Sequence, residues 1–315
     1  MNSLNEITEF IKGRDNFVIL THIYPDGDTL GSAYALCRAL RKLKKNANVL
    51  IHGDLADKYS YLEKDMKEQV FDCETVVTVD IASPSLMGDF REEYEDKIDV
   101  CIDHHAANDM NARMKYVDAD AASNCENIYR LIELLDIEID PALADCIYTG
   151  ICTDTGCFKF TNVTPDTMRI AAKLMECGCR SAEINRVMFD TKSLARINIE
   201  REVLNTLRFY ADNKIAVVYT TRDMEKRAGA VDQDLEGIAA IPRQIEGVCT
   251  GVTLKEKGDN YYRISVRTNG DHDASMICGK LGGGGHFAAA GCSVNGTLEE
   301  AIKAIVRACV EELGR

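Results

Sequence analysis

The sequence predicts an α/β fold, with a mainly parallel sheet covered by helices on both faces, followed by a smaller α+β domain. Over residues 1–190, short apolar runs rich in β-branched residues alternate with segments whose apolar residues recur at helical spacing. Beyond about residue 212 this alternation ends, and a hairpin-like pair of strands precedes a terminal helix. Strands that alternate with helices are typical of parallel sheets buried on both faces.

The elements follow in order along the chain. In the first domain the predicted strands are residues 17–20, 49–51, 76–79 and 100–102, and the predicted helices are residues 30–43, 124–135, 141–151, 165–177 and 181–189. A polar helix at 193–209 joins this domain to strands at 215–219, 248–255 and 261–267 and a helix at 298–313. We therefore predict a metal-binding domain over residues 1–190, a linker helix over 191–212 and a substrate-binding domain over 213–315.

Composition excludes several classes of protein. The 37 basic and 51 acidic residues give a net charge of −14, which argues against a protein that grips duplex DNA through its phosphates. No apolar run is long enough to span a bilayer, and the N-terminus lacks the basic start and apolar core of a signal peptide. The 13 cysteines are scattered and odd in number, which indicates free thiols. We therefore expect a cytoplasmic protein without a membrane partner.

Acidic and histidine residues cluster where predicted strands or helices end. The clusters are His22 with Asp26 and Asp28, then Asp80, then Asp103 with His104 and His105, and finally Asp154. Three of them follow strands, and the carboxyl edges of parallel strands meet at one crevice. Carboxylate and imidazole ligands suit Mn²⁺ better than Mg²⁺, and their number suits two ions. Two ions ~3.5–4 Å apart can lower the pKa of a bridging water and hold a phosphate for in-line attack.

Each cluster also has a structural interpretation. Asp28 and Asp154 each precede a threonine and could serve as turn formers or helix caps. A single histidine such as His22 is more often hydrogen-bonded within the fold than bound to metal. An adjacent histidine pair after an aspartate, however, has no propensity-based reason to end a buried strand. Taken together, the clusters predict a metal site.

At this point the motifs resemble a known family. HIYPDGDTLGS, the isolated Asp80, Asp103-His104-His105 and GICTDTG resemble the four motifs of the DHH phosphoesterase superfamily, in order and spacing. RISVRTN followed by ASMICGKLGGGGHFAAAGCSV resembles the DHHA1 domain, so the resemblance covers essentially the whole chain. It implies a metal-dependent phosphoesterase with its active site in the cleft between the two domains.

The resemblance also implies roles for the clustered residues. One metal would be held by His22, Asp26 and Asp80, and the other by Asp28, His104 and Asp154, with Asp80 bridging the two. His105 would lie beside the scissile phosphate, and Asp103 would orient the neighbouring histidine.

A glycine run in the second domain suggests an anion site. Gly283, Gly284 and Gly285 allow backbone N–H groups to approach an anion closely, and we expect a helix to begin after them and favour negative charge. His286 adds a hydrogen-bond donor, and the guanidinium of Arg267 is a candidate to bind a terminal phosphate through two hydrogen bonds. Arg243 could be a second phosphate contact or a surface charge.

Within the superfamily, the chain resembles the bacterial nanoRNase and pAp phosphatase group. This resemblance implies hydrolysis of short oligoribonucleotides and of 3′-phosphoadenosine 5′-phosphate (pAp), with small nucleotides or short single-stranded RNA as partners and no duplex DNA. A phosphodiesterase for cyclic di-AMP or pApA uses the same motifs and stays open. A nucleotide-binding regulator without catalytic activity is a third hypothesis, although none of the metal ligands expected in the motifs is replaced.

Two further points stay open. Asn124-Cys125 stands where relatives often carry Ser-Thr or Ser-Ala, so this loop bears on specificity. A homodimer formed through the N-terminal domain is compatible with the resemblance.

Overall fold

A computed structural model describes residues 1–235 and 237–314, which form two compact units. The first unit is Met1–Thr191, and the second begins at Lys192. No helix in the described part of the chain is long and apolar enough to cross a bilayer.

The first unit alternates helices and strands. Its helices are α1 (Leu4–Lys12), α2 (Gly27–Lys42), α3 (Phe90–Tyr94), α4 (Asn124–Leu134), α5 (Pro141–Asp154), α6 (Pro165–Glu176) and α7 (Ser181–Asn185), and its strands are β1 (Phe17–Leu20), β2 (Ala47–Leu50), β3 (Thr75–Val79), β4 (Ile98–Asp103) and β5 (Met114–Val117). All neighbouring strands pair in parallel, in the order β2-β1-β3-β4-β5. The predicted fold class is confirmed.

Both faces of this sheet are buried. Phe17 and Ile19 point to a large cluster that includes the apolar faces of α2, α4 and α5. Val18 and Leu20 point to the opposite face, where Met87 and partly buried Phe90 pack. Successive side chains of β1 thus point alternately into two different cores. This explains why every residue of the strand is apolar.

The edge strand β5 is absent from the predicted elements. Its four residues are all half-buried and include Lys115, so they lack the apolar run that marked the inner strands. Its edge is covered by Asn2, whose backbone N–H donates to Lys115 O and whose side-chain Oδ1 accepts from Lys115 N. An edge strand of mixed polarity gives a weak sequence signal.

The second unit contains a mixed sheet and four α-helices among its described residues. Its helices are α8 (Leu194–Leu204), α9 (Arg222–Ala228), α10 (Ala274–Gly279) and α11 (Leu298–Leu313). Its strands are β6 (Arg208–Tyr210), β7 (Ile215–Thr220), β8 (Thr250–Gly258), β9 (Tyr261–Thr268), β10 (Gly284–His286) and β11 (Ala289–Asn295). A π-helical turn at Arg186–Asp190 lies at the end of the first unit. The strand order is β10-β11-β9-β8-β7-β6, and β8 and β9 form the predicted hairpin.

The two faces of this second sheet differ in polarity. Val252, Leu254, Ile264 and Val266 pack in a core with residues of α10 and α11. The alternate positions of β8 and β9 carry glycine, threonine, serine, lysine and arginine instead. We call this second surface the polar face.

Candidate metal centre

The acidic and histidine clusters of the first unit meet at one edge of its sheet. β1, β3 and β4 are adjacent, and their carboxyl ends carry three of the clusters, while Asp154 ends α5. Side-chain ligand atoms within 4.8 Å of one another form three overlapping groups, which are His22 with Asp26 and Asp80, Asp28 with His104 and Asp154, and Asp80 with His104 and His105. The structure thus brings together every clustered residue that the sequence singled out in this unit, with Asp103 in contact with His105.

Asp26 has two structural roles at this edge. It is the N-cap of α2, where its Oδ1 accepts from the backbone N–H groups of Asp28 at 3.0 Å and Thr29 at 3.2 Å. The same oxygen lies 3.8 Å from His22 Nε2. The capping role that the sequence left open for Asp28 therefore belongs to Asp26, and Asp28 lies buried in the first turn of α2.

Asp28 is held by the start of α4. Its Oδ2 accepts from Asn124 N at 2.6 Å, and its Oδ1 accepts from Cys125 N at 2.9 Å. Free N–H groups at a helix N-terminus favour a negative charge. Burial and the nearby charge of Asp26 nevertheless raise the pKa of Asp28 to about 7, against the opposing effect of these two amides. The Asn124-Cys125 loop thus positions a carboxylate through its backbone.

Close packing around Asp28 depends on a glycine in α5. A Cβ at Gly150 would lie 2.6 Å from Asp28 Oδ1 and would also overlap Cys125 Sγ. Any larger residue would therefore push α5 away from the carboxylate and from the start of α4. Gly150 was not singled out by the sequence, because a glycine within a helical pattern gives no signal about which surface it touches.

Asp80 lies at the middle of the cluster. It follows β3 with φ of 58°, a left-handed conformation that is uncommon for residues other than glycine. Its Oδ1 is buried, has no hydrogen-bond partner among the described residues, and lies 3.5 Å from His104 Nε2 and 3.6 Å from His105 Nδ1. Burial and the charge of Asp28 raise its pKa well above the usual value. A buried carboxylate oxygen without a donor is costly, and a bound cation would compensate it.

His104 directs one ring nitrogen to the centre. Its Nδ1 lies 3.2 Å from the backbone oxygen of Ala121, to which it can donate. This contact leaves the Nε2 lone pair free, and Nε2 lies 3.5 Å from Asp154 Oδ2 and 3.7 Å from Asp28 Oδ2. Burial and the charge of Asp28 raise the pKa of Asp154 to about 7.

Asp103 and His105 form a hydrogen-bonded pair at the side of the cluster. Asp103 Oδ1 accepts from His105 Nδ1 at 2.8 Å, and its Oδ2 accepts from Asn108 Nδ2 at 2.5 Å. Burial alone would raise the pKa of Asp103, but the hydrogen bonds from His105 and Asn108 outweigh it and hold the pKa below the usual value. The bond to Asp103 in turn raises the pKa of His105. Asn108 was not predicted, since a lone asparagine after a strand resembles any turn residue.

These residues fit a centre of divalent cations. Carboxylates and imidazoles are the donors that first-row divalent ions accept. Burial, together with the charges of neighbouring carboxylates, raises the pKa of Asp28, Asp80 and Asp154. Asp80, whose Oδ1 is orphaned, belongs to two of the three groups. The first unit can therefore bind metal here.

The residues predicted to bind substrate lie together in the second unit. His286 is paired with Ala289, Ala289 with Arg267, and Arg267 with Gly251, so these four positions form one row across β10, β11, β9 and β8. Their side chains lie on the polar face. His286 is exposed and Arg267 half-buried.

Arg243 approaches this row through its backbone. A Cβ at Gly251 would lie 2.6 Å from the Arg243 backbone N, so only glycine allows this approach. Burial and the charge of Arg243 lower the pKa of Arg267. Neither arginine has a carboxylate within ion-pair distance in the described part of the chain, so the pair forms an unneutralised positive site. An isolated glycine within a strand is a signal of close backbone approach, and it could have marked Gly251.

The expected helix after the glycine run is wrong. Gly284 and Gly285 lie in β10, which pairs antiparallel with β11, and the segment after them turns back into that strand. The run of glycines and the following run of alanines carried no strand signal, because both residues are depleted in strands. The positive charge of the row therefore comes from side chains, without a helix N-terminus.

Comparisons with known proteins agree with this architecture. Residues 16–151 match the DHH family, N-terminal domain, and residues 212–312 match the DHHA1 domain. The chain is 32% identical to a bifunctional oligoribonuclease and PAP phosphatase NrnA of Thermus thermophilus, over 100% of this chain and 95% of that protein. An exopolyphosphatase-related protein of Bacteroides fragilis has a similar structure, with a TM-score of 0.87, 25% identity and coverage of 98% and 95% of the two chains.

A more distant relative differs in length. The chain is 23% identical to a cyclic-di-AMP phosphodiesterase GdpP of Geobacillus thermodenitrificans, over 89% of this chain but only 45% of that protein.

We expect Gly150→Ala to weaken both folding and metal binding. The added methyl group overlaps Cys125 and Asp28 Oδ1, so the free energy of unfolding should fall by about 1–3 kcal/mol. Chemical denaturation and calorimetric titration with Mn²⁺ would measure the two effects. Gly279→Ala is the matched control, because a Cβ there meets nothing within 4 Å and should leave both quantities near the wild-type values. Unchanged Mn²⁺ affinity in Gly150→Ala would contradict the packing argument.

We expect the metal-free protein to gain stability from this centre as the pH falls from 8 to 6. Asp28 and Asp154 have pKa values of about 7 in the folded state and ~3.9 in an unfolded chain, so the folded protein binds their protons more tightly. The resulting stabilisation is complete at low pH and is lost as the pH rises through about 7. Mn²⁺ replaces these protons, so it should raise the melting temperature more at pH 8 than at pH 6.

Thermal melts in EDTA and in Mn²⁺ across this range would test the expectation. Asp154→Asn is the control that removes one of the two titrating groups, and it should flatten the pH dependence of the metal-free protein. If Mn²⁺ raised the melting temperature of the wild-type protein equally at pH 6 and pH 8, this expectation would be contradicted.

Proposed function

The chain belongs to the DHH family, and we propose that it hydrolyses phosphoesters of short nucleotides, namely short oligoribonucleotides and pAp, with two divalent metal ions. The observation that carries this proposal is the convergence of seven acidic and histidine side chains around the orphaned Asp80 Oδ1. The full-length match to an oligoribonuclease and PAP phosphatase supports the substrate class.

The two metal ions would share the clustered ligands. His22, Asp26 and Asp80 would hold one ion, and Asp28, His104 and Asp154 the other, with Asp80 between them. Such ions activate water at neutral pH and offset the charge of a phosphate. Mn²⁺ is our proposal for their identity, because imidazole and carboxylate together suit it better than Mg²⁺.

The remaining residues of the cluster would act on the substrate. Asp103 fixes the ring of His105 and favours its protonated form, so the imidazolium can donate from Nε2 to a phosphate oxygen. Asn108 holds Asp103 ionised and in place. In the second unit, Arg267, His286 and the backbone of Gly283, Gly284 and Gly285 would bind the substrate, and the position of Arg243 beside Arg267 supports a phosphate contact for it as well.

Location and partners complete the proposal. All 13 cysteines are free, which fits the reducing cytoplasm. The net charge of −14 supports small nucleotides and short RNA over duplex DNA as partners.

A cyclic di-AMP or pApA phosphodiesterase is the second candidate. The relative that favours it matches over 89% of this chain with only 23% identity, and more than half of that relative has no counterpart here. A regulator without catalysis is disfavoured because all the proposed metal ligands are present and converge.

A substrate panel tests the proposal. Purified protein with Mn²⁺ should turn over pAp and di- to pentaribonucleotides and leave cyclic di-AMP intact. Asp80→Asn should reduce kcat more than about 100-fold on every substrate. Substitution of residues that only hydrogen-bond to a metal ligand already reduces metal affinity or activity ~10–100-fold. Circular dichroism would show that this variant stays folded. Preferred cleavage of cyclic di-AMP would favour the second candidate, and full activity of Asp80→Asn would contradict the metal centre.

We expect His286→Ala to separate substrate binding from hydrolysis. Loss of a hydrogen bond to a charged phosphate costs ~1.5–3 kcal/mol, so KM for pAp should rise about tenfold or more. Hydrolysis of a small chromogenic phosphodiester, which has no second phosphate to bind, should change less than about twofold. His272→Ala is the matched control, since His272 lies in a turn outside the row. Equal effects of His286→Ala on both substrates would argue against a role in binding.

A further inference from the structure

A separate pocket lies on the polar face of the second unit. Its volume is about 280 Å³, and it is lined by residues of β7, β8, β9 and the short turns at Asp232–Leu235 and Ile238–Ala240. Thr253, Lys255, Arg263 and Ser265 contribute from the two central strands. This volume is just below the ~300–1,000 Å³ that is typical of small-ligand sites, so the pocket has room for at most one small ligand.

The pocket lies beside the Arg267 row, because Ser265 and Thr253 of its lining are two positions from Arg267 and Gly251 along their strands. Arg263 also lines a neighbouring pocket together with Gly283 and Gly284. Arg263 precedes Arg267 by four residues on β9, which corresponds to about 13 Å at ~3.3 Å per residue. The two sites share one face of the sheet, because Arg263, Ser265 and Arg267 alternate along the same strand. None of the lining residues belongs to the row formed by His286, Ala289, Arg267 and Gly251.

Positive charge dominates the lining of the pocket. Lys255 Nζ pairs with Asp232 at 2.9 Å, and this pair leaves Lys257 and Arg263 without a carboxylate within ion-pair distance among the residues described. Burial and the adjacent Lys255 lower the pKa of Lys257, because two neighbouring ammonium groups repel each other. In a chain of net charge −14, such a concentration of cations favours an anionic ligand.

A buried hydroxyl independently points to a ligand. Thr253 is 6% exposed and lines the pocket, and its Oγ1 has no hydrogen-bond partner among the described residues. A buried hydroxyl without a partner is costly, and a ligand with a hydrogen-bonding group would satisfy it.

The other wall of the pocket is apolar. Leu235, Ile238 and Ala239 line it, and Ile238 is packed against the cluster that contains Val218 and Ile199. A ligand that fits all these features has a flat or apolar part, a hydroxyl or ring nitrogen, and a phosphate.

We propose that this pocket binds a second phosphorylated nucleoside, with the phosphate at Lys257 and Arg263, the base against Ile238 and a sugar or base group on Thr253 Oγ1. This nucleoside could come from either of two sources. One is a further residue of an oligonucleotide whose end lies at the Arg267 row, and the other is a free mononucleotide. The proposal rests on the proposed function for the identity of the ligand as a nucleotide.

Calorimetric titration of the full chain with 5′-AMP in EDTA tests the pocket without turnover. Wild-type protein should bind two AMP molecules, and the double variant Lys257→Ala/Arg263→Ala should bind one. The double variant Arg267→Ala/His286→Ala should also bind one, at the pocket. Lys303→Ala/Arg307→Ala is the matched control, because it removes the same charge from exposed positions of α11, and it should bind two.

The kinetics of a 5′-phosphorylated adenosine trinucleotide with Mn²⁺ distinguish the two sources. If the pocket binds a residue of the strand, Lys257→Ala/Arg263→Ala should raise KM for the trinucleotide about tenfold or more, since each lost charged hydrogen bond costs ~1.5–3 kcal/mol. If it binds a free mononucleotide, this KM should equal that of the Lys303→Ala/Arg307→Ala control while one AMP site is lost.

One binding site in wild-type protein, abolished by Arg267→Ala/His286→Ala and unaffected by Lys257→Ala/Arg263→Ala, would overturn the proposal. Failure of the proposed function would look different, because wild-type protein would then hydrolyse neither pAp nor the trinucleotide while the AMP titration still counted the sites.

Discussion

The repulsion among buried carboxylates at the edge of the first sheet is the constraint on which this structure depends. Asp28, Asp80 and Asp154 each have a carboxylate oxygen 3.5–3.7 Å from Nε2 of the same histidine, His104, and burial raises the pKa of each one. Such a cluster is stable only with protons or cations between the oxygens. The protein therefore surrounds it with compensating features: the N-terminus of α4 faces Asp28, and His104 directs its Nε2 to all three carboxylates.

The fold supplies the rigidity that this arrangement needs. Parallel strands place the end of each strand at one edge, so residues more than 130 positions apart in sequence meet there. Gly150 allows α5 to lie against Asp28, and Asp26 both caps α2 and faces His22. Asp26, Asp28, His104 and Asp154 are thus held by secondary structure or by hydrogen bonds to the backbone, which limits the reorganisation that metal binding requires.

The second unit presents positively charged side chains on one face of its sheet. Its sheet buries one face against α10 and α11 and leaves alternate side chains on the other face available for anions. Arg267 and Arg243 lie together with no carboxylate within ion-pair distance among the residues that the structure describes, and the pocket beside Thr253 repeats this pattern with Lys257 and Arg263. In a chain with a large negative net charge, these local groups of cations favour the binding of anions such as phosphate.

The sequence by itself determined the α/β class, the inner strands and the residues that meet at the metal centre, because β-branched runs and charged residues at strand ends are local signals. It missed β5, β6 and the β10–β11 hairpin, whose mixed or glycine-rich residues have no strand pattern. The predicted helix at 193–209 was wrong beyond Leu204, because β6 begins at Arg208, and a helix was also wrongly expected where β11 begins. Only the tertiary structure decided that Asp26 is the cap, that Gly150 and Gly251 permit close approach, and that Thr253 faces a cationic pocket. These features depend on contacts between segments far apart in the chain, and no local pattern of residues encodes which surfaces will touch.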